Sequence, residues 1–75
     1  MWDNLSMSKI FSERLKELRL ECNMPRTKLA EILNVSVRLI SYWENGEREC
    51  SFNTLMQLSN IFSVSIDYLL GKTDY

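Results

Sequence analysis

The sequence predicts an all-α fold, a compact bundle of five short helices. Three observations carry that expectation. Apolar residues recur at spacings of three and four rather than two. Residues that stop helices, Asn23, Asn34, Gly46 and Gly71, punctuate the chain between the apolar runs. β-branched residues are too scattered to build a sheet.

The first helix is expected over about residues 8–22, where Phe11, Leu15, Leu18 and Cys22 share one face. Asn23 follows, one of the few residue types that tolerates a left-handed cap. Pro25 stands where a helix begins but cannot continue. A second helix, about Arg26 to Leu33, offers Leu29, Ala30 and Leu33 to the core and stops at Asn34. Ala30 suits a site where two helices cross closely; by itself it reads equally as a routine helix-former. Ser36 is a fitting N-cap for the third helix, which ends at Asn45-Gly46. On that helix Ile40 and Trp43 point one way, with Leu39 on their flank and Val35 anchoring the turn before it. Arg38 and Tyr42 point the other way, flanked by Ser41 and Asn45. After the polar loop "ERE", Ser51 caps a fourth helix carrying Leu55, Leu58, Ile61 and Phe62. Ser65 caps a fifth, "IDYLL", with Asp67 in its first turn and Gly71 just past its end.

Seventy-five residues make one domain near the lower limit of what folds unaided, and 45% apolar content is enough for its core. No apolar run approaches the roughly 18 residues of a membrane span. "MWDNLSMSK" has neither the basic start nor the apolar region of a signal peptide, so a cytoplasmic location is expected. With no histidine and only Cys22 and Cys50, a zinc site is close to excluded, and no metal or other cofactor is expected. The thiols are read as small buried or half-buried side chains in a reducing compartment; a disulfide or redox switch is the other reading. There is no histidine for acid–base work, no G-x-S-x-G and no glycine-rich phosphate loop, so an enzyme is not expected. The net charge of −1 argues weakly against a nucleic-acid partner. Distribution matters more than the sum, because surface charges are screened beyond about 8–10 Å.

Helices two and three are joined only by Asn34, Val35 and Ser36, the short connection of a helix-turn-helix whose second helix can enter a DNA major groove. Together with "RLKELR" (14–19), "KLAEILNVS" (28–36), "IS-WENGER" (40–48, Tyr42 outside the match) and "S-NTLMQLSNIFSVSIDYLLG" (51–71, Phe52 outside the match), this turn resembles the phage-repressor-like (Cro/CI, or XRE-type) helix-turn-helix regulators. The resemblance covers about residues 10–71. It implies a five-helix bundle of the lambda-repressor-like DNA-binding type, which binds duplex DNA as a dimer and usually regulates transcription.

By the family's pattern, base contacts fall on Val37, Arg38, Ser41 and Tyr42. The Arg38 guanidinium matches the O6 and N7 acceptors of guanine bidentately, worth about 1–3 kcal/mol of discrimination. Ser41 can donate or accept. Tyr42 can pack on a sugar or reach a base edge with its hydroxyl. Val37 departs from the polar residue usual in the family; it either touches a thymine methyl or belongs to the flank of the core. Phosphate contacts are expected from Arg26, Thr27, Ser36, Asn45 and Arg48, though Arg48 also reads as a plain solvated loop charge. Lys28 is read as surface charge. Arg26 stands where the family most often has glutamine, and Pro25 replaces the usual serine or threonine cap. In the family an arginine late in helix one pairs with the glutamate of "WENG". Arg19 and Glu44 hold those positions, so the resemblance implies a structural salt bridge between them.

Helices four and five are the expected dimer seam. Phe52, Met56, Tyr68 and Leu69 either form it or belong to the core. Residues 1–7, including Trp2 and Leu5, are read as a flexible segment, 8–71 as the DNA-binding domain with the helix-turn-helix proper at about 26–45, and 72–75 as a tail. A ligand-sensing domain has no room here, so neither a small-molecule ligand nor a membrane partner is expected. The leading functional expectation is a sequence-specific regulator of transcription that binds double-stranded DNA, a repressor acting as a homodimer on a two-half-site operator. The alternative is a protein-interaction module, an antitoxin or anti-repressor partner, supported by the acidic balance and by apolar Val37.

Overall fold

The computed structural model describes the backbone of residues 5–74 and the side chains from residue 9 on. Its elements in order are α1 (Leu5–Glu21), α2 (Arg26–Leu33), α3 (Val37–Glu44), α4 (Phe52–Phe62) and α5 (Ile66–Leu69), with no strand among the described residues. α1 packs against α3 and α5, α2 packs against α3, and α4 packs against α5. The body measures 28 × 23 × 20 Å along its principal axes.

Local chemistry sets the ends of these helices. Ser36, Ser51 and Ser65 all take extended backbone angles, and their hydroxyl oxygens accept from the backbone N–H of Leu39, Thr54 and Tyr68. Each bond satisfies one of the donors that a helix start leaves open, at about 1 kcal/mol per cap. α2 lacks such a bond because its N-cap is Pro25. Asn23 and Asn34 adopt left-handed angles (φ 53° and 58°), as the sequence suggested for both. Ser63 does so too, at 55°, and ends α4; its residue type gave no warning of this.

Two boundaries need correction. α1 begins at Leu5, ahead of the expected start at residue 8, because nothing in Leu5–Ser6–Met7 breaks helix propagation. Of the segment expected over residues 1–7, residues 1–4, Trp2 among them, and the Leu5 side chain lie outside the described residues. α1 also ends at Glu21, so Cys22 falls beyond the helix and is exposed rather than buried. The apolar stripe of Phe11 and Leu15 no longer dictates its direction once the chain turns at Asn23.

The core consists of Phe11, Leu15, Leu29, Ala30, Leu33, Ile40, Trp43, Leu55, Leu58 and Leu69, with Leu18, Val35, Leu39, Ile61 and Phe62 packed partly buried against it. Leu69 is fully buried, which removes it from the expected dimer seam. Arg14 of α1 fastens the end of the chain. Its guanidinium lies 4.2 Å from the Tyr68 ring centroid and donates to the carbonyls of Tyr68 and Thr73, the latter at 2.7 Å. Tyr68 is thus half-buried beneath a cation, not presented as an open apolar surface.

Candidate nucleic-acid interface

α3 has eight residues, and its spacing divides them sharply. Ile40, Trp43 and Glu44 are buried, while Val37 and Arg38 are exposed and Ser41 and Tyr42 are half-buried. Residues three and four apart share a helix face, so burying Ile40 with Trp43 and Glu44 turns Arg38 and its neighbours outward. The Ser36 cap and the left-handed Asn34 fix where α3 begins. Val35 N–H donates to the Ala30 carbonyl at 3.0 Å, closing the turn that joins α2 to α3.

Glu44 is a carboxylate without solvent exposure, and two arginines surround it. Arg19 Nε donates to Glu44 Oε2 at 2.6 Å and Arg19 Nη2 donates to Oε1 at 3.1 Å, a bidentate fork. Arg19 Nη1 also donates to the Met24 carbonyl at 2.8 Å, tying the α1–α2 loop into the same cluster. Sequence comparison implied this pair. It did not imply the second arginine. Arg26 Nε donates to Glu44 Oε1 at 3.0 Å, and Arg26 Nη1 donates to Ser41 Oγ at 3.3 Å.

Arg26 was expected to reach outward to a phosphate, yet two of its donors are turned onto α3. Burial explains the difference: a carboxylate taken out of water draws in every donor within reach. No periodicity rule relates position 26 to positions 41 and 44, so the sequence carried no signal for this contact.

The remaining candidates surround that cluster. Arg38 is exposed and makes no hydrogen bond or ion pair among the described residues. Tyr42 is covered by Arg48, whose guanidinium carbon lies 4.7 Å from the ring centroid. Arg48 is therefore an exposed loop cation with a definite perch, at the edge of α3. Thr27 and Asn45 are exposed; Ser36 is exposed as well, with its oxygen engaged as the cap. Lys28 Nζ lies 3.6 Å from Glu31 Oε1, a surface pair one turn apart. Phe52 is 66% exposed and Met56 is 46% exposed, four residues apart on α4.

Half-buried Cys50 has its thiol pushed up to about 12 from 9.0, chiefly by burial, with a backbone hydrogen bond opposing the rise and Glu49 adding to it. A thiol so far from ionising is a packing group.

Comparison with known proteins agrees with this architecture. The profile of a family described as helix-turn-helix matches residues 15–69. The HTH-type transcriptional regulator ImmR of Bacillus subtilis is 40% identical over 62 residues, 83% of this chain and 49% of the relative. The HTH-type transcriptional activator BcrR of Enterococcus faecalis is 43% identical over 61 residues, 81% of this chain and 30% of the relative. The uncharacterized HTH-type transcriptional regulator YqaE of Bacillus subtilis is 38% identical over 61 residues, 81% of this chain and 53% of the relative. The chain thus spans about half the length of these relatives or less.

Proposed function

The chain belongs to the phage-repressor-like, XRE-type helix-turn-helix family, and on that premise we propose that it is a sequence-specific double-stranded DNA-binding regulator of transcription. One observation carries the reading: α3 is anchored by Ile40, Trp43 and Glu44 and sends Arg38 into solvent with no hydrogen bond or ion pair among the described residues. An exposed guanidinium on the outer face of a short, braced helix suits bidentate contact with guanine. Val37, Ser41 and Tyr42 supply the neighbouring base contacts, with Thr27, Ser36, Asn45 and Arg48 around them for phosphates. The protein acts in the cytoplasm, as a repressor that covers a promoter. It works as a homodimer on two half-sites, with exposed Phe52 and Met56 of α4 in the seam.

Selection from a random duplex library, with the wild-type chain and Arg38→Ala, tests these statements together. The wild type enriches two half-sites about one helical turn apart, each with guanine at one fixed position. Arg38→Ala loses that guanine preference, at a cost of about 1–3 kcal/mol, while its melt moves by no more than about 0.5 kcal/mol, as for a surface change. An Arg38→Ala profile identical to the wild type overturns the assignment of α3. Single half-sites overturn the dimer.

A second reading, a module that binds protein through the same fold, is favoured by Val37. It is apolar and 40% exposed at the head of α3, where a base-reading helix usually carries a polar side chain. A wild-type chain that enriches no duplex selects this reading.

A further inference from the structure

The bond from Arg26 to Ser41 gives α3 a property that its sequence does not. We propose that Arg26 is a specificity-positioning residue: through Ser41 it makes the second turn of α3 seek a hydrogen-bond acceptor on the base it faces. The inference rests on the DNA-binding reading above and deepens it.

The guanidinium of Arg26 does not swing freely. Its Nε is held on Glu44 Oε1, and Glu44 is held in turn by the fork from Arg19. With Nε fixed, the planar group can turn little, and Nη1 is delivered to Ser41 Oγ from a set direction. Arginine has donors and no acceptor, so the Ser41 oxygen accepts in this bond. A serine hydroxyl owns one proton, and that proton remains for another partner. The sequence alone left Ser41 free to donate or accept; the bond from Arg26 removes much of that freedom.

Charge works in the same direction. One carboxylate and two guanidiniums leave the cluster with a net positive charge beside Ser41. An amino group of cytosine (N4) or adenine (N6) meets repulsion there, whereas guanine O6 and N7 or thymine O4 meets a donor backed by a cation. The acceptor edge of guanine or thymine is therefore the partner of Ser41, and cytosine is disfavoured. The competing use of the proton is a bond back to the Val37 carbonyl, one turn earlier. That arrangement would make Ser41 silent toward bases.

Duplex selection on four proteins decides the matter: wild type, Ser41→Ala, Arg26→Met and Arg26→Lys. Ser41→Ala marks the base position that Ser41 contacts, by flattening its preference. At that position the wild type favours guanine or thymine over cytosine by about three- to tenfold, the range of one hydrogen bond. Arg26→Met flattens the same position and leaves the Arg38 position intact. Arg26→Lys keeps the charge without the fork and retains part of the preference.

A mere brace would not produce this pattern, because loosening α3 weakens all sequences together. If Arg26→Met instead lowers affinity equally for every sequence and reduces the salt slope by about 0.9 log units, Arg26 is a phosphate contact and the inference falls. It also falls if the wild type shows no acceptor preference at the Ser41 position. Should Arg26→Met fail to fold, the cycle of Arg26→Lys with Ser41→Ala replaces it; additive effects at that position overturn the inference. A wild-type chain that selects no duplex removes the functional reading and this inference with it. A selected site indifferent to Arg26 removes this inference alone.

Discussion

Replacing Glu44 by glutamine removes the charge on which α3 is hung. The carboxylate has no exposure and accepts three N–H bonds, at 2.6 and 3.1 Å from Arg19 and at 3.0 Å from Arg26. Glutamine has nearly the same shape, but its NH2 would face guanidinium donors. Arg19, only 8% exposed, would keep the Met24 carbonyl and lose its counter-charge. Leaving one partner of a buried pair uncompensated costs about 3–5 kcal/mol. A domain of this length has about 4–11 kcal/mol of stability in total. The melting temperature should fall by about 12–40 °C, from about 4–8 °C per kcal/mol at this size. Arg19→Met belongs in the same range. Arg26→Met does not, because Glu44 keeps both Arg19 bonds and Arg26 is 34% exposed; about 1 kcal/mol or less is expected. Far-UV circular dichroism melts in one buffer at neutral pH are the assay. The double variant Arg19→Met, Glu44→Met supplies the internal check, since an apolar pair of similar volume restores much of what either single change loses. Single-variant melts within about 4 °C of wild type would refute this account of how α3 is held.

Three further predictions concern parts of the chain away from that cluster. Cys22 is exposed and Cys50 has its thiol pushed up to about 12, so a thiol alkylator at mildly alkaline pH should label Cys22 in the native protein and both residues after denaturation; native double labelling would contradict the burial. The linkage has a definite sign. A folded-state pKa raised from 9.0 to about 12 contributes stability that is complete below pH 9.0 and lost as pH rises through about 12. Cys50→Ala should therefore lessen the drop in denaturant midpoint between about pH 8 and about pH 10, and an unchanged drop would deny it. Gly71→Ala should lower the melt more than Gly46→Ala. Both glycines have positive φ, at 82° and 75°, but a Cβ at Gly71 would lie 2.8 Å from Ile10 Cγ2, whereas one at Gly46 meets Ser12 Oγ at 3.6 Å. Equal losses would place the whole cost in the backbone, at about 1–2 kcal/mol.

The helices were legible because short-range chemistry sets them. A serine before an apolar run, or an asparagine or glycine after one, acts within four residues, and the sequence contains all of that information. Facing was legible for the same reason on α2 and α3, where Leu29, Leu33, Ile40 and Trp43 are buried as their spacing requires. Depth was not. Phe52, Met56, Tyr68 and Leu69 look alike as apolar residues near the end of the chain, yet Phe52 follows directly on a cap and stands open while Leu69 closes the core. Tyr68 differs from both because Arg14, far away in sequence, lies over its ring. Such outcomes depend on which element arrives alongside, and periodicity is silent about that. Arg26 is the same case at the candidate site, since its partners belong to another helix.

The cluster also changes what the net charge means for the proposed function. An acidic chain is a poor general partner for DNA, and α2, α3 and the loop after them add little excess of positive charge. Lys28 is taken up by Glu31, and Glu44 is neutralised from within by Arg19. What faces outward is exposed Arg38, Arg48 seated on Tyr42, and the part of Arg26 that Glu44 does not use, against exposed Glu47 and Glu49. A surface so near balance can neutralise few phosphates, so low non-specific affinity and a shallow salt slope are expected. On the proposed reading, binding would rest on base contacts and on two half-sites held together. That makes the orientation of a few side chains on α3, fixed through Glu44, count for more than the total charge of the chain.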